Sequence, residues 1–152
     1  LKNVCSPLTL QQKNSGDMSR FLDPVVLAMT EKVERGRVVR RVARSFRFEI
    51  GRKYNSFVIV VPAGMETDLA TIPRFFHRIF SPDGPWAKAS VLHDFLYRTQ
   101  LVTRCLADAM FFEAMESLEV RAWQKWTIYL AVRCFGRRAY RPRGGMLPFG
   151  PV

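Results

Sequence analysis

The chain has 152 residues, 48% of them hydrophobic and 24% charged, the balance of one ordinary globular domain with a single core. No apolar run reaches the ~18 residues of a membrane-spanning helix, and residues 1–17 carry no apolar signal core, so neither a membrane span nor a secretory leader is expected. A net charge of +11 draws the protein towards polyanions (nucleic acid, anionic lipid or acidic protein surfaces) without choosing among them.

Residues 1–17 are mostly polar and without periodicity, which predicts a disordered leader. Met18 then opens MSRFLDPVV, which reads as a natural start. A strand is expected around residues 25–32, pairing with the next one through a Glu34-Arg35-Gly36 turn. Val38, Val42, Phe46, Phe48 and Ile50 alternate with Arg37, Arg41, Ser45, Arg47 and Glu49, the pattern of a strand with one wet face, interrupted near Arg40 and Arg44. After a turn at residues 51–55, Phe57, Ile59 and Val61 continue with apolar residues on both faces, which predicts a central strand. Pro62-Ala63-Gly64 then ends an antiparallel meander.

The second half is helical. The first helix spans about residues 86–98, with Ala89, Leu92, Phe95 and Leu96 inward. The second, capped by Thr103, carries Leu106, Met110, Phe111, Ala114, Met115 and Leu118. The third, about residues 122–135, shows Trp123, Trp126, Leu130 and Val132 and stops at Gly136. The expected class is α+β: an N-terminal antiparallel β-meander followed by a three-helix layer, one domain over residues 18–136. Residues 137–152 read as a basic Pro/Gly-rich arm holding Arg137, Arg138, Arg141 and Arg143. Three cysteines without a C-x-x-C spacing predict neither a disulfide framework nor a zinc site; Cys105 and Cys134, in apolar helical patterns, are expected to be reduced core residues.

One pair stands out as a candidate site. His93 shares a helix face with Ala89, Ser90, Leu96 and Tyr97, and Asp108 neighbours Cys105, Phe111 and Phe112 on the next helix. Both surroundings are apolar, and a buried carboxylate needs a partner. His93 and Asp108 are about equally far from a turn near Gln100 and Leu101, so an antiparallel helical hairpin sets them opposite one another. One imidazole nitrogen would bond the carboxylate and leave the other as a general base on water. The competing reading is a structural His–Asp bond that pins two helices together. Asp94 points away from His93 and faces the loop of residues 82–85, where backbone carbonyls with Asp83 and Asp68 would suit a hard cation such as calcium. Its alternatives are a solvent-facing charge or a partner for Arg98 at i+4. Asp68 reads equally as a turn or helix cap.

Two resemblances bear on these residues. The blocks MSRFLDP, VPAGMETDLATIPRFF, AKASVLHDFLYR, RCLADAMFFEAM and AVRCFG, in that order, resemble a bacterial and phage family of unknown function with TDLASIPR, HDxLY and R-x-x-AD-x-x-F blocks. That resemblance implies a phage or prophage source, but no reaction. Thr67 and Arg74 fall in its first block and count as supporting residues. Locally, HDFLYR followed by ADAMFF is similar to the His-Asp helix pair of the phospholipase A2 superfamily. It implies His93 as general base, Asp108 as the group that orients it, Asp94 as a calcium ligand and Tyr97 as a support for the aspartate. The glycine-rich calcium loop of those enzymes is reduced here to residues 81–85, and their disulfides are not expected.

The leading expectation is therefore a calcium-assisted ester hydrolase using a His93–Asp108 dyad, with a lipid ester suited to the basic surface. A non-catalytic phage virion or assembly protein that meets other phage structural proteins is the second reading. A basic nucleic-acid-binding protein is the third, supported by net charge without a recognised binding motif. On any of them the chain is cytoplasmic when made in a bacterial host, and on the second it is carried into the virion.

Overall fold

In the computed structural model, which describes residues 19–34, 37–51, 57–67 and 84–140, alternation first takes effect at β4, Phe46–Ile50. Phe46 and Phe48 are fully buried while Arg47 between them is exposed, as a pleat with a period of two dictates. β4 lies between β1 (Arg20–Phe21) and β5 (Phe57–Val61) in one antiparallel three-stranded sheet. Phe48 sits opposite both Phe21 and Ile59, and the Phe21 and Phe48 rings are 4.7 Å apart. The Asp23 carboxylate clamps this edge, accepting from the Arg47 guanidinium at 2.8 and 3.0 Å and from the Arg47 backbone N–H at 3.0 Å.

The second sheet is also three-stranded and antiparallel, with β3 (Arg37–Val42) between β2 (Leu27–Glu34) and β6 (Glu66–Thr67). β2 and β3 pair as the 34–36 turn predicted, with a register shift between Met29 and Val33. At the shift the Thr30 hydroxyl donates to the Val39 carbonyl at 2.6 Å. Gly64, at φ 85°, makes the tight return that brings Glu66 and Thr67 against β3.

Several expectations are corrected here. The interruption expected near Arg44 falls at residues 43–45, while the one expected near Arg40 does not occur, and the two strands so separated lie in different sheets. Val39 takes the inward place expected of Val38, which is 46% exposed. Among the described residues β5 pairs with β4 alone, and its Val58 and Val60 are exposed. The strands do not end at Gly64, since β6 follows it and joins the sheet of β2 and β3.

The helices fall where their periodicity placed them: α1 Ala87–Thr99, α2 Arg104–Ser117 and α3 Ala122–Phe135. Thr103 caps α2, its hydroxyl oxygen accepting from Leu106 N–H at 3.4 Å. The core joins Val42, Phe46, Phe48, Ile59 and Val61 of the sheets to Leu92, Leu96, Phe111, Met115 and Ile128 of the helices. α3 turns Ile128, Tyr129, Ala131 and Val132 inward, while Trp123, Trp126 and Leu130 are exposed. That helix is apolar on almost every side, so its pattern does not select a face. Leu106 is likewise exposed.

The cysteines also differ from expectation. Cys134 is exposed, and Cys105, half-buried at the start of α2, is disulfide-bonded. The expected leader, residues 1–17, lies outside the described residues, as does the tail from 141 onward. After α3 a 3-10 turn, Gly136–Arg138, leads to the half-buried Tyr140, whose hydroxyl donates to the Val102 carbonyl at 2.8 Å.

Leu92 has no exposed surface and belongs to the core cluster that includes sheet and helix residues. Leu92→Ala is expected to lower the free energy of unfolding by about 3 kcal/mol, read as a fall in urea midpoint at unchanged slope. A loss below about 1 kcal/mol would show that this seam is not part of the cooperative core.

Candidate functional site: a buried His–Asp pair across a helical hairpin

His93 and Tyr97 stand one turn apart on the inner face of α1. The chain reverses after α1 because Gln100 adopts a left-handed conformation, φ 51°, with its N–H bonded to the Leu96 carbonyl. α2 then returns antiparallel and sets Asp108 opposite both residues. His93 Nε2 lies 3.0 Å from Asp108 Oδ1, and the Tyr97 hydroxyl donates to the same oxygen at 2.5 Å. The other oxygen, Oδ2, accepts from Arg133 Nη1 of α3 at 2.9 Å.

Asp108 has no exposed surface and His93 only 2%. Burial alone raises the Asp108 pKa, but the bonds from His93, Tyr97 and Arg133 together outweigh it and hold the carboxyl below its usual range. The Tyr97 phenol is pushed well above its usual range, by burial first and then by its bond to Asp108. An ionised carboxylate only accepts hydrogen bonds, so His93 Nε2 carries the proton and Nδ1 keeps the lone pair. The imidazole is packed between the Tyr97 ring, 4.0 Å away, and the Phe111 ring, 4.6 Å away.

Asp94 faces elsewhere, towards β6. Its Oδ2 accepts from the Thr67 hydroxyl at 2.6 Å and lies 3.1 Å from Arg98 Nη2, the i+4 partner. Arg98 also donates through Nη1 to the Glu66 carbonyl, so these groups tie α1 to the second sheet. Thr67 is fully buried, with its hydroxyl on Asp94. Asp68, Arg74 and Asp83 lie outside the described residues. Among the described residues no three His, Cys, Asp or Glu side chains form a group that could hold a metal ion. With Arg98 and Thr67 on its carboxylate, Asp94 as placed does not fit a calcium site.

Sequence reasoning missed Arg133, which comes to Asp108 from 25 positions away. That a buried aspartate needs donors was legible; which helix supplies the second one was not. It also missed the backing of Tyr97, whose ring meets Tyr140 edge-on at 5.2 Å. Gly136 lies equally close: a β-carbon there would be 2.7 Å from the Tyr97 hydroxyl oxygen. At φ −67° Gly136 has no need of glycine's backbone freedom, so the space it leaves for Tyr97, and not a left-handed helix stop, distinguishes the position.

Residues 41–132, more than half of the chain, match a family described as a protein of unknown function, DUF1353. An uncharacterized protein, y4jT, of Sinorhizobium fredii (strain NBRC 101917 / NGR234) is 33% identical over 78 residues. That stretch is 50% of this chain and 23% of the relative, so the chain matches less than a quarter of that protein's length. No solved structure matches the chain.

Two outcomes follow from this geometry. Gly136→Ala is expected to push the Tyr97 hydroxyl off Asp108 and cost about 1–3 kcal/mol. Its cost should shrink in a Tyr97→Phe background, where the clashing oxygen is gone; equal costs in both backgrounds would refute the contact. Asp108, with a depressed folded pKa, contributes stability that is full above the unfolded value of about 3.9 and lost as pH falls through the lower folded value. Asp108→Asn should therefore lose about 3 kcal/mol at neutral pH and show a shallower acid limb below about pH 4. Parallel acid limbs in denaturation series on the two proteins would contradict this assignment.

Proposed function

The chain belongs to the DUF1353 family, whose function is unknown, and from the buried dyad we propose that it is an ester hydrolase with His93 as general base. The observation that carries this reading is the ionised, fully buried Asp108, held by Tyr97 and Arg133 and bonded to His93 Nε2. That arrangement fixes the imidazole tautomer and orientation and favours the cation formed when Nδ1 takes a proton. In the proposed reaction His93 Nδ1 removes a proton from water as the water oxygen adds to the ester carbonyl carbon. The tetrahedral adduct then expels the alcohol oxygen, which leaves with the proton from Nδ1, giving a carboxylic acid and an alcohol. Asp108 and Tyr97 are positioning residues here, since they act through His93. The resemblance to phospholipases A2 implies calcium at Asp94, whose carboxylate is held by the Arg98 guanidinium and the Thr67 hydroxyl.

A second reading has its own support. His93 is 2% exposed and its bonds link α1, α2 and, through Asp108, α3. On that reading the network is a staple and the chain a non-catalytic phage assembly protein.

The test pairs chemistry with accessibility. Hydrolysis is measured on aryl esters of graded acyl length and on phospholipid, with wild type, His93→Gln and Asp108→Asn. Diethyl pyrocarbonate labelling of the folded protein is mapped by mass spectrometry, with His77 distinguished by peptide. A base role predicts labelling of His93 and a fall of about 10²–10⁴-fold in kcat for His93→Gln. An unreactive His93 in a protein that hydrolyses none of the panel would sink the hydrolase and leave the staple.

A further inference from the structure

α3 has a second face that the core does not use. Trp123, Trp126 and Leu130 follow one another at i, i+3 and i+7, so they form one stripe along the helix, and Phe135 lies near its end. They are 54%, 40%, 56% and 56% exposed, the heaviest run of outward apolar side chains on any helix described. Trp126 is set firmly, its ring 4.8 Å from Phe112 and 6.0 Å from Tyr129. Exposed cations stand at the two ends of the stripe, Arg121 before it and Arg137 after it. From Val120 to Val152 the sequence has seven Lys or Arg and no Asp or Glu.

We infer that this face of α3 docks on an anionic lipid surface. The apolar stripe is convex, carried by a single helix, and framed by cations, the order of chemistry that a headgroup layer over acyl chains complements. Indoles settle at that boundary because a large apolar ring carries one polar N–H. The net charge of +11 works against a second copy of the chain as the occupant, since two such basic ends repel one another. α3 lies flat on the surface and does not cross it: no helix among the described residues is long and apolar enough to span a membrane. The inference is independent of the hydrolase reading, because it uses no residue of the His93–Asp108 network.

The experiment is sedimentation of the whole chain with large unilamellar vesicles of phosphatidylcholine alone or mixed with phosphatidylglycerol. Tryptophan emission is followed with brominated lipid as quencher; Trp86, 4% exposed, serves as the internal buried reference. Binding to the phosphatidylglycerol vesicles is expected, with a blue-shifted and quenched emission, weakened by salt at about 0.5 M. Leu130→Glu should lower partitioning by about tenfold, whereas Met29→Glu, an equal charge change on the 76% exposed Met29 of β2, should change it little. Equal losses in the two variants would overturn the stripe in favour of charge alone. Absence of binding, or a dimer that Leu130→Glu dissolves without any vesicle binding, would overturn the lipid surface.

Discussion

A carboxylate with no exposed surface must have its charge met inside the protein, and Asp108 is met from three sides. His93 and Tyr97 of α1 share one oxygen and Arg133 of α3 takes the other, so the charge of one residue on α2 fixes the placement of both neighbouring helices. Withdrawing an ion from water is costly, and good geometry with every lone pair engaged is the condition under which that cost is offset. Three donors fill three of the roughly four acceptor positions on the two oxygens of Asp108. The helix crossing, the turn at Gln100 and the packing of Tyr140 over Tyr97 all serve to keep those donors in reach.

The same network has a chemical consequence. A carboxylate held ionised makes the facing imidazole nitrogen a donor, and the opposite nitrogen then presents a lone pair. Tyr97 and Arg133 prevent the carboxylate from turning away, while the Tyr97 and Phe111 rings hold the imidazole plane. Restraint of this kind serves a base that must be aimed and a staple that must not slip. Reactivity at Nδ1 separates them.

α3 shows how one element serves two environments. Its inner residues, Ile128, Tyr129 and Val132, close the core, and Arg133 reaches Asp108 from the same helix. Its outer stripe of Trp126 and Leu130 meets solvent. A helix that is apolar nearly all round cannot be oriented by burial alone; here the ion pair at Arg133 adds a directional contact that burial lacks.

What the sequence determined by itself was local. The alternation of Phe46, Arg47 and Phe48 marked a strand, the period of Ala89, Leu92 and Leu96 marked α1, and Thr103 marked the start of α2, because each signal is carried by neighbours within a turn or a pleat. The opposition of His93 and Asp108 was legible too, since a short hairpin ties residues at equal distance from its turn. Only the tertiary structure decided which strands share a sheet and which face of α3 turns inward. It alone brought Arg133 to Asp108 and Thr67 to Asp94, whose i+4 partner Arg98 the spacing had already offered. Gly136 followed the same rule: its place after α3 read as a helix stop, while the reason for an absent side chain was a tyrosine from another helix. Periodicity reports how a segment is wetted, but partners distant in sequence are selected by the packing of the whole chain.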